Sequence, residues 1–243
     1  MGTPLEPARA IVVGIDASRA AVNAALWAVD EAVSRDIPLR LVAVVESGDN
    51  GRAERALHAA VTAVEVTRRL VKIDAELAHG RPVSVLRDLS CSAEMLCLGT
   101  IGVGQATGRH LGSTATAVAG SARCPVAIIG SAPPDPRWIL AEVDESFSKS
   151  DVLDWAVAEA ILRNLPLRVA AGSVAIIRAR LERNLTQLQA RHPDLDIQAV
   201  RGTTAEILAR DARSVALVVT SRLRNGGTPG PGCPVLICPS RAL

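Results

Sequence analysis

Aromatic residues are scarce in this sequence, which has one Phe, three Trp and no Tyr among 243 residues. Proteins that bind single-stranded nucleic acid stack bases on aromatic rings, so this composition disfavours that class. The charge composition also disfavours a nucleic-acid partner, because 27 basic and 25 acidic side chains leave a net charge of +2 without a polybasic run. Nucleic-acid binders normally concentrate Lys and Arg on one face. We therefore expect no nucleic-acid partner.

The sequence also lacks an apolar run of the roughly 18 residues that a membrane-spanning helix needs. Residues 1–10 contain two prolines and a glutamate where a signal peptide would have its apolar core. Apolar residues make up 49% of the chain and charged residues 21%, a balance typical of globular proteins. We expect a cytoplasmic protein without a membrane partner.

No CxxC pair occurs among the five cysteines, which are Cys91, Cys97, Cys124, Cys233 and Cys238. An odd number of cysteines with apolar flanks and no metal-ligand spacing favours buried, reduced thiols over a metal or redox site. We predict no metal-binding residue.

The sequence repeats itself at a fixed offset. A shift of 128 positions superimposes identical residues, including a tryptophan and a Pro-Leu-Arg triplet that chance would rarely match together. The matches are Asp16 with Asp144, Ser18 with Ser146, Trp27 with Trp155, Glu31 with Glu159, and 38–40 with 166–168. We predict two homologous domains, residues 1–132 and 133–243.

Short apolar runs alternate with amphipathic segments in both copies, a pattern typical of βαβ units and a parallel sheet. In the first copy it predicts strands at 10–15, 39–45, 71–77, 95–98 and 126–129 and helices at 20–34, 52–69, 82–89 and 113–121. The predicted fold class is α/β, with two tandem open five-stranded parallel sheets that carry helices on both faces.

The second copy is shorter than the first. The same pattern predicts strands at 138–143, 167–171, 197–201, 215–220 and 235–238 and helices at 148–163 and 174–191. The offset falls to 122 where Gly80 matches Gly202 and to 109 where Cys124 matches Cys233, so about six residues are missing early and 13 late. The late gap removes the loop and most of the helix after the fourth strand.

A glycine-rich segment follows the fourth strand of the first copy. Gly99, Gly102, Gly112 and Ser113 fit the pattern G-x2-G-x9-G-[ST] between a predicted strand and a predicted helix. Ligands of open parallel sheets bind beyond the carboxyl ends of the strands, where the winding direction reverses. Gly99 and Gly102 would let the backbone approach a polyphosphate and adopt positive φ. The helix start would offer free N–H groups and the hydroxyls of Ser113 and Thr114 to an anion.

With these motifs the chain resembles the universal stress proteins, Rossmann-like proteins, in their tandem actinobacterial form. The matching segments are 12–16, 27–28, 38–41, the glycine motif and 124–126. The resemblance implies ATP as the cofactor, with Mg²⁺ left open, and a homodimer formed through the edges of the last strands. It implies contacts to ribose, base and phosphates from Ile15, Asp16, Val44, Gly99, Gly102, Gly112, Ser113 and Thr114.

Structural alternatives accompany these assignments. Asp16 could cap the helix that follows it. The equivalent Asp144 is present in the copy without a phosphate loop, which favours this structural role. The glycines could form a flexible surface loop. Arg109 is a weaker candidate for a phosphate contact, and His110 has no orienting carboxylate in the local sequence. The shortened loop of the second copy, 222–232, is interrupted by prolines, so we predict no nucleotide there.

The leading hypothesis is an ATP-binding stress-response or signalling protein whose nucleotide occupancy selects a conformation or assembly state. A weak ATP hydrolase or phosphotransferase is the enzyme alternative, although the sequence shows no evident general base and no Walker lysine. A scaffold for protein contacts without bound nucleotide is the third.

Overall fold

The computed structural model describes residues 9–46, 48, 50–100, 111–131, 135–143, 151–170, 175–221 and 233–239. The chain divides into two compact units, Met1–Gly130 and Ser131–Leu243. Among the helices of these residues, none has the length and apolar character required to cross a lipid bilayer.

Strands and helices alternate through the first unit. In chain order they are β1 (Ile11–Ile15), α1 (Arg19–Arg35), β2 (Leu39–Val45), α2 (Asn50–Val66), β3 (Ile73–His79), α3 (Pro82–Leu89), β4 (Met95–Gly99), α4 (Ser113–Ala119) and β5 (Val126–Ile129). The strands lie in the order β3-β2-β1-β4-β5, and their pairings are parallel. The predicted α/β class with parallel strands is confirmed.

The second unit repeats this organisation. Its elements are β6 (Trp138–Glu142), α5 (Val152–Arg163), β7 (Leu167–Ala170), α6 (Ala175–Arg191), β8 (Ile197–Val200), α7 (Thr204–Asp211), β9 (Val215–Thr220) and β10 (Val235–Ile237). The strand order β8-β7-β6-β9-β10 matches that of the first unit, and its pairings are parallel. Residues 222–232, the predicted shortened loop, lie outside the described residues.

One helix of the second unit was missed by the sequence analysis, which placed no element between the strands at 197–201 and 215–220. Helix α7 begins after Thr203, whose side chain accepts a hydrogen bond from the Glu206 N–H, while the Glu206 carboxylate accepts one from the Thr203 N–H. This reciprocal capping box satisfies two N–H groups that an eight-residue helix would otherwise leave open. The cap therefore stabilises a helix that is too short to show a clear hydrophobic periodicity.

Except for β3 and β8, the strands are apolar and largely buried, because helices cover both faces of a parallel sheet. Right-handed crossovers place α1 and α2 on one face of the first unit and α3 and α4 on the other. Accordingly, α1 packs beside α2, and α3 packs beside α4. The winding direction reverses between β1 and β4, which pair with each other in the middle of the sheet.

Helices α1 and α5 end in the same way, 128 positions apart. Their C-caps, Asp36 and Asn164, adopt the left-handed conformation with φ of 52° and 50°. Each helix also buries a glutamate that pairs with an arginine four residues later: Glu31 with Arg35 and Glu159 with Arg163. A buried carboxylate is costly unless it is paired, so these positions are tied to their arginines in both units.

The cysteines only partly match the prediction. All five are free thiols, and four are buried, but Cys91 is exposed just after α3. The prediction of a buried thiol was wrong at Cys91. It relied on apolar sequence neighbours, whereas burial depends on tertiary position. Desolvation by burial raises the pKa of Cys124 to about 12 and that of Cys233 to about 12.

We expect one thiol per chain to react quickly with a disulfide reagent at pH 8 under native conditions. Cys91 is accessible, whereas a thiol with a pKa near 12 is a thiolate in only about one molecule in 10⁴ at that pH. A Cys91→Ser variant should lose the fast phase, and unfolding in urea should release the remaining thiols. A fast phase that survives in Cys91→Ser would contradict the burial of the other four.

Candidate functional site

A cavity of about 410 Å³ opens at the carboxyl ends of β1, β2 and β4. Seven of the eight residues predicted for the nucleotide site line it: Ile15, Asp16, Val44, Gly99, Gly112, Ser113 and Thr114. The eighth, Gly102, lies outside the described residues, as do Arg109 and His110. The remaining described lining residues are Gly14, Val42, Arg52, Pro82, Leu86, Leu98 and Ala115. Topology thus brings together residues as distant in the sequence as Gly14 and Ala115, which are 101 positions apart.

The floor of the cavity depends on Gly14 in β1. A Cβ atom at Gly14 would lie 2.6 Å from the Leu98 Cδ2 atom of the neighbouring strand. Because Gly14 has no side chain, the space between the two strand ends stays open at the point where the sheet changes its winding direction.

Gly99 packs closely against the start of α1 and does not have the predicted backbone conformation. The prediction of positive φ at this residue was wrong, since it is absent from the residues with that conformation. Instead, a Cβ atom at Gly99 would lie 2.8 Å from the backbone nitrogen of Ala21 and 2.9 Å from the carbonyl carbon of Ala20. Close packing against the start of α1 requires glycine here.

The start of α4 presents open hydrogen-bond donors to the cavity. Gly112 is the N-cap, with φ of −59°, and has no side chain to cap the helix. Its N–H donates to the Thr100 carbonyl over 2.8 Å. Within the described part of the chain, the hydroxyls of Ser113 and Thr114 and the first-turn N–H groups have no partner. The N–H groups at the start of a helix carry partial positive charge, which favours an anion.

Asp16 lies exposed at the end of β1, on the rim of the cavity. The alternative that it caps α1 directly is wrong, because Ser18 is the N-cap and accepts a hydrogen bond from the Ala21 N–H over 3.1 Å. Asp16 instead accepts one from the Ser18 N–H through Oδ1, also over 3.1 Å. Its Oδ2 accepts no hydrogen bond from another described residue and can still take a ligand hydroxyl.

Arg52 is a cavity residue that the sequence analysis missed. It lies in the first turn of α2, with an exposed side chain beside the end of β2. No motif marks it, and only the fold brings it to Val44. The one available signal was its place just after the second strand, because the loops at the carboxyl ends of strands supply ligand contacts.

No cluster of three or more His, Cys, Asp or Glu side chains that could hold a metal ion occurs in the described segments. Asp16 is the only acidic residue among the described lining residues.

The second unit has a different pair of residues at the equivalent strand ends. The parallel register pairs Ile11 with Met95 in the first unit and Ile139 with Leu217 in the second. Continued by three residues, these registers make Glu142 and Thr220 the equivalents of Gly14 and Leu98. The Thr220 hydroxyl donates to Glu142 Oε2 over 3.3 Å, so a hydrogen-bonded carboxylate lies where the first unit has its glycine floor.

These features define a doubly wound α/β protein with a cavity at the switch point of its first unit. The model of the universal stress protein family matches residues 7–130. A universal stress protein of Mycobacterium tuberculosis is 44% identical over 239 residues, which cover 87% of this chain and 85% of that protein. The chain belongs to the universal stress protein family.

A solved structure of similar length agrees with this fold. The crystal structure of a universal stress protein from Archaeoglobus fulgidus has a TM-score of 0.69 at 14% identity and covers 97% of this chain and 100% of its own. A shorter universal stress protein in complex with cAMP matches 50% of this chain and 97% of its own, at 22% identity and a TM-score of 0.42.

Proposed function

We propose that this protein is a cytoplasmic ATP-binding regulator, in which nucleotide occupancy of the first unit selects one conformation or assembly state. The observation that supports this most directly is the convergence of seven predicted site residues around one cavity at the switch point. A volume of about 410 Å³ lies in the range of small-molecule sites.

The chemistry of the walls suits a nucleotide. At one side, the hydroxyls and N–H groups at the start of α4, which have no partner among the described residues, offer donors to phosphate oxygens. Across the cavity, Asp16 offers a carboxylate acceptor of the kind that binds ribose hydroxyls. A ligand that binds only the folded state stabilises it in proportion to the logarithm of its concentration over Kd. Occupancy can therefore act as a signal without turnover.

Hydrolysis is the less favoured candidate. Phosphoryl transfer requires groups that position the attacking nucleophile and neutralise charge on the transferred phosphoryl group. Among the described lining residues there is no Lys, and the single carboxylate, Asp16, already accepts the Ser18 N–H. Binding therefore explains the described geometry better than catalysis.

Calorimetric titration should show one ATP bound per chain, and the variant Ser113→Ala/Thr114→Ala should bind it more weakly by about 1–3 kcal/mol. Hydrogen bonds to a charged acceptor are stronger than neutral ones, and this variant removes two donors. Adenosine, which lacks phosphates, should keep its affinity.

Thr116→Ala serves as the matched control, because the Thr116 hydroxyl donates to the Gly112 carbonyl one turn away and Thr116 does not line the cavity. ATP affinity should survive that change. No ATP binding by the unmodified protein, or equal losses for ATP and adenosine in the double variant, would contradict the proposal.

A further inference from the structure

Arg52 occupies a distinctive place in the first unit. Its side chain borders the main cavity and also an adjoining cavity of about 330 Å³, and both share Ile15, Asp16 and Val44. Among the described residues, none forms a hydrogen bond or ion pair with Arg52. The guanidinium group is therefore available to a ligand that enters between the ends of β1 and β2.

The strand order decides which part of a nucleotide would meet Arg52. Neighbouring strands lie about 4.8 Å apart, so the ends of β2 and β4, on either side of β1, are about 10 Å apart. Helix α4 follows β4, whereas Arg52 follows β2. A nucleotide with its phosphates at the start of α4 would therefore place its base near Arg52.

The walls at the β2 end are aliphatic. The lining there consists of Val42 and Val44 from β2 and Pro82 and Leu86 from α3, and none of the described lining residues has an aromatic ring. A planar base bound at this end would find one flat, polarisable partner, because the guanidinium group is planar and stacks on aromatic rings.

We propose that Arg52 recognises the base of the bound nucleotide by placing its guanidinium plane against the purine ring. This inference rests on the proposed function. A substitution of Arg52 should then change the affinities for ATP and for adenosine equally. A substitution of the phosphate donors of α4 should weaken ATP alone.

The test is calorimetric titration of ATP and of adenosine into the unmodified protein and the variants Arg52→Met and Arg52→Lys. Met keeps an unbranched apolar stem and removes the guanidinium group. We expect both affinities to fall by a similar factor, about three- to thirtyfold, which is the range of cation–π contacts. Lys keeps the charge without the planar group and should recover only part of the loss.

Arg183→Met is the control, since Arg183 is an exposed arginine on α6 of the other unit. Two outcomes would overturn the inference: unchanged adenosine affinity in Arg52→Met, or a loss confined to ATP that Lys fully restores, which would assign Arg52 to the phosphates. If the unmodified protein bound neither ligand, the proposed function would fail as well. Binding by the unmodified protein with no change in Arg52→Met would remove the inference alone.

Discussion

A chain with Gly14→Glu and Leu98→Thr should bind ATP at least about a hundredfold more weakly than the unmodified protein, a loss of roughly 2.7 kcal/mol. These two substitutions place the Glu142–Thr220 pair of the second unit on the floor of the first. The glutamate would fill space that Gly14 leaves open. It would also bring a negative charge to within a few ångströms of a triphosphate, where Coulomb repulsion reaches about 3 kcal/mol at an effective dielectric constant of 20.

The neutral variant Gly14→Gln/Leu98→Thr separates volume from charge, because glutamine occupies nearly the same space as glutamate. It should lose less affinity for ATP than the glutamate variant, and the two should lose similar affinity for adenosine. Thermal melts of both variants should stay cooperative, since Thr220 already accompanies a carboxylate at this position in the same fold. Unchanged ATP affinity in the glutamate variant would show that the nucleotide does not lie over this floor.

The second unit already carries such a carboxylate at the equivalent position, Glu142. A carboxylate hydrogen-bonded across the switch point of the second unit disfavours an anionic ligand there. This effect is independent of the missing glycine pattern in the second copy. We therefore expect the stoichiometry of one ATP per chain to persist in Glu142→Gln, because a neutral amide at this position still occupies the floor.

Much of the fold follows from the sequence because parallel strands and their helices leave strong patterns. The predicted segments 39–45 and 82–89 coincide with β2 and α3. Pro82 explains the sharp start of α3, since proline fits the first helical position. Helix α2 was predicted at 52–69 but ends at Val66, and Arg68 adopts a left-handed conformation with φ of 56°. Nothing in the amphipathic pattern marks that reversal.

The internal repeat also marks the position of helix α7. The offset of 122 that matches Gly80 with Gly202 carries the predicted helix 82–89 onto 204–211, the bounds of α7. Both glycines have positive φ, 132° and 104°. Repeat offsets therefore locate a short helix that periodicity alone overlooks, because equivalent backbone turns precede it.

The candidate site was predicted where strand topology determines it and missed where packing does. Ile15 and Asp16 follow from the rule that parallel sheets bind ligands at the carboxyl ends of their strands, and Ser113 follows from the glycine motif that precedes a helix. Their contact with nucleotide stays a prediction. Arg52 was missed, because its place just after β2 is a weak signal and its neighbours in the cavity come from other elements. Only the positive φ predicted for Gly99 was wrong, because a glycine in a strand can instead mark the close approach of another backbone.

Gly99→Ala should lower the free energy of unfolding by about 1–3 kcal/mol, the usual cost of overpacking a tight interior. The new Cβ atom would meet backbone atoms of Ala20 and Ala21 at 2.8–2.9 Å, and the start of α1 would have to move. Urea denaturation gives the measurement, with the slope of the transition as a check that the unfolded state is unchanged.

Gly14→Ala provides the matched comparison, because both glycines lie in central strands of one sheet. Its Cβ atom would meet the tip of the Leu98 side chain, at 2.6 Å from Cδ2, and a side chain can rotate away where a backbone cannot. The stability loss should therefore be smaller for Gly14→Ala than for Gly99→Ala, while Gly112→Ala, with φ of −59°, should cost least. If Gly99→Ala were as stable as the unmodified chain yet bound ATP poorly, Gly99 would be a phosphate-loop glycine after all. Loss of stability with ATP affinity retained in the folded fraction would establish that packing against α1, rather than a phosphate, requires the first glycine of the motif.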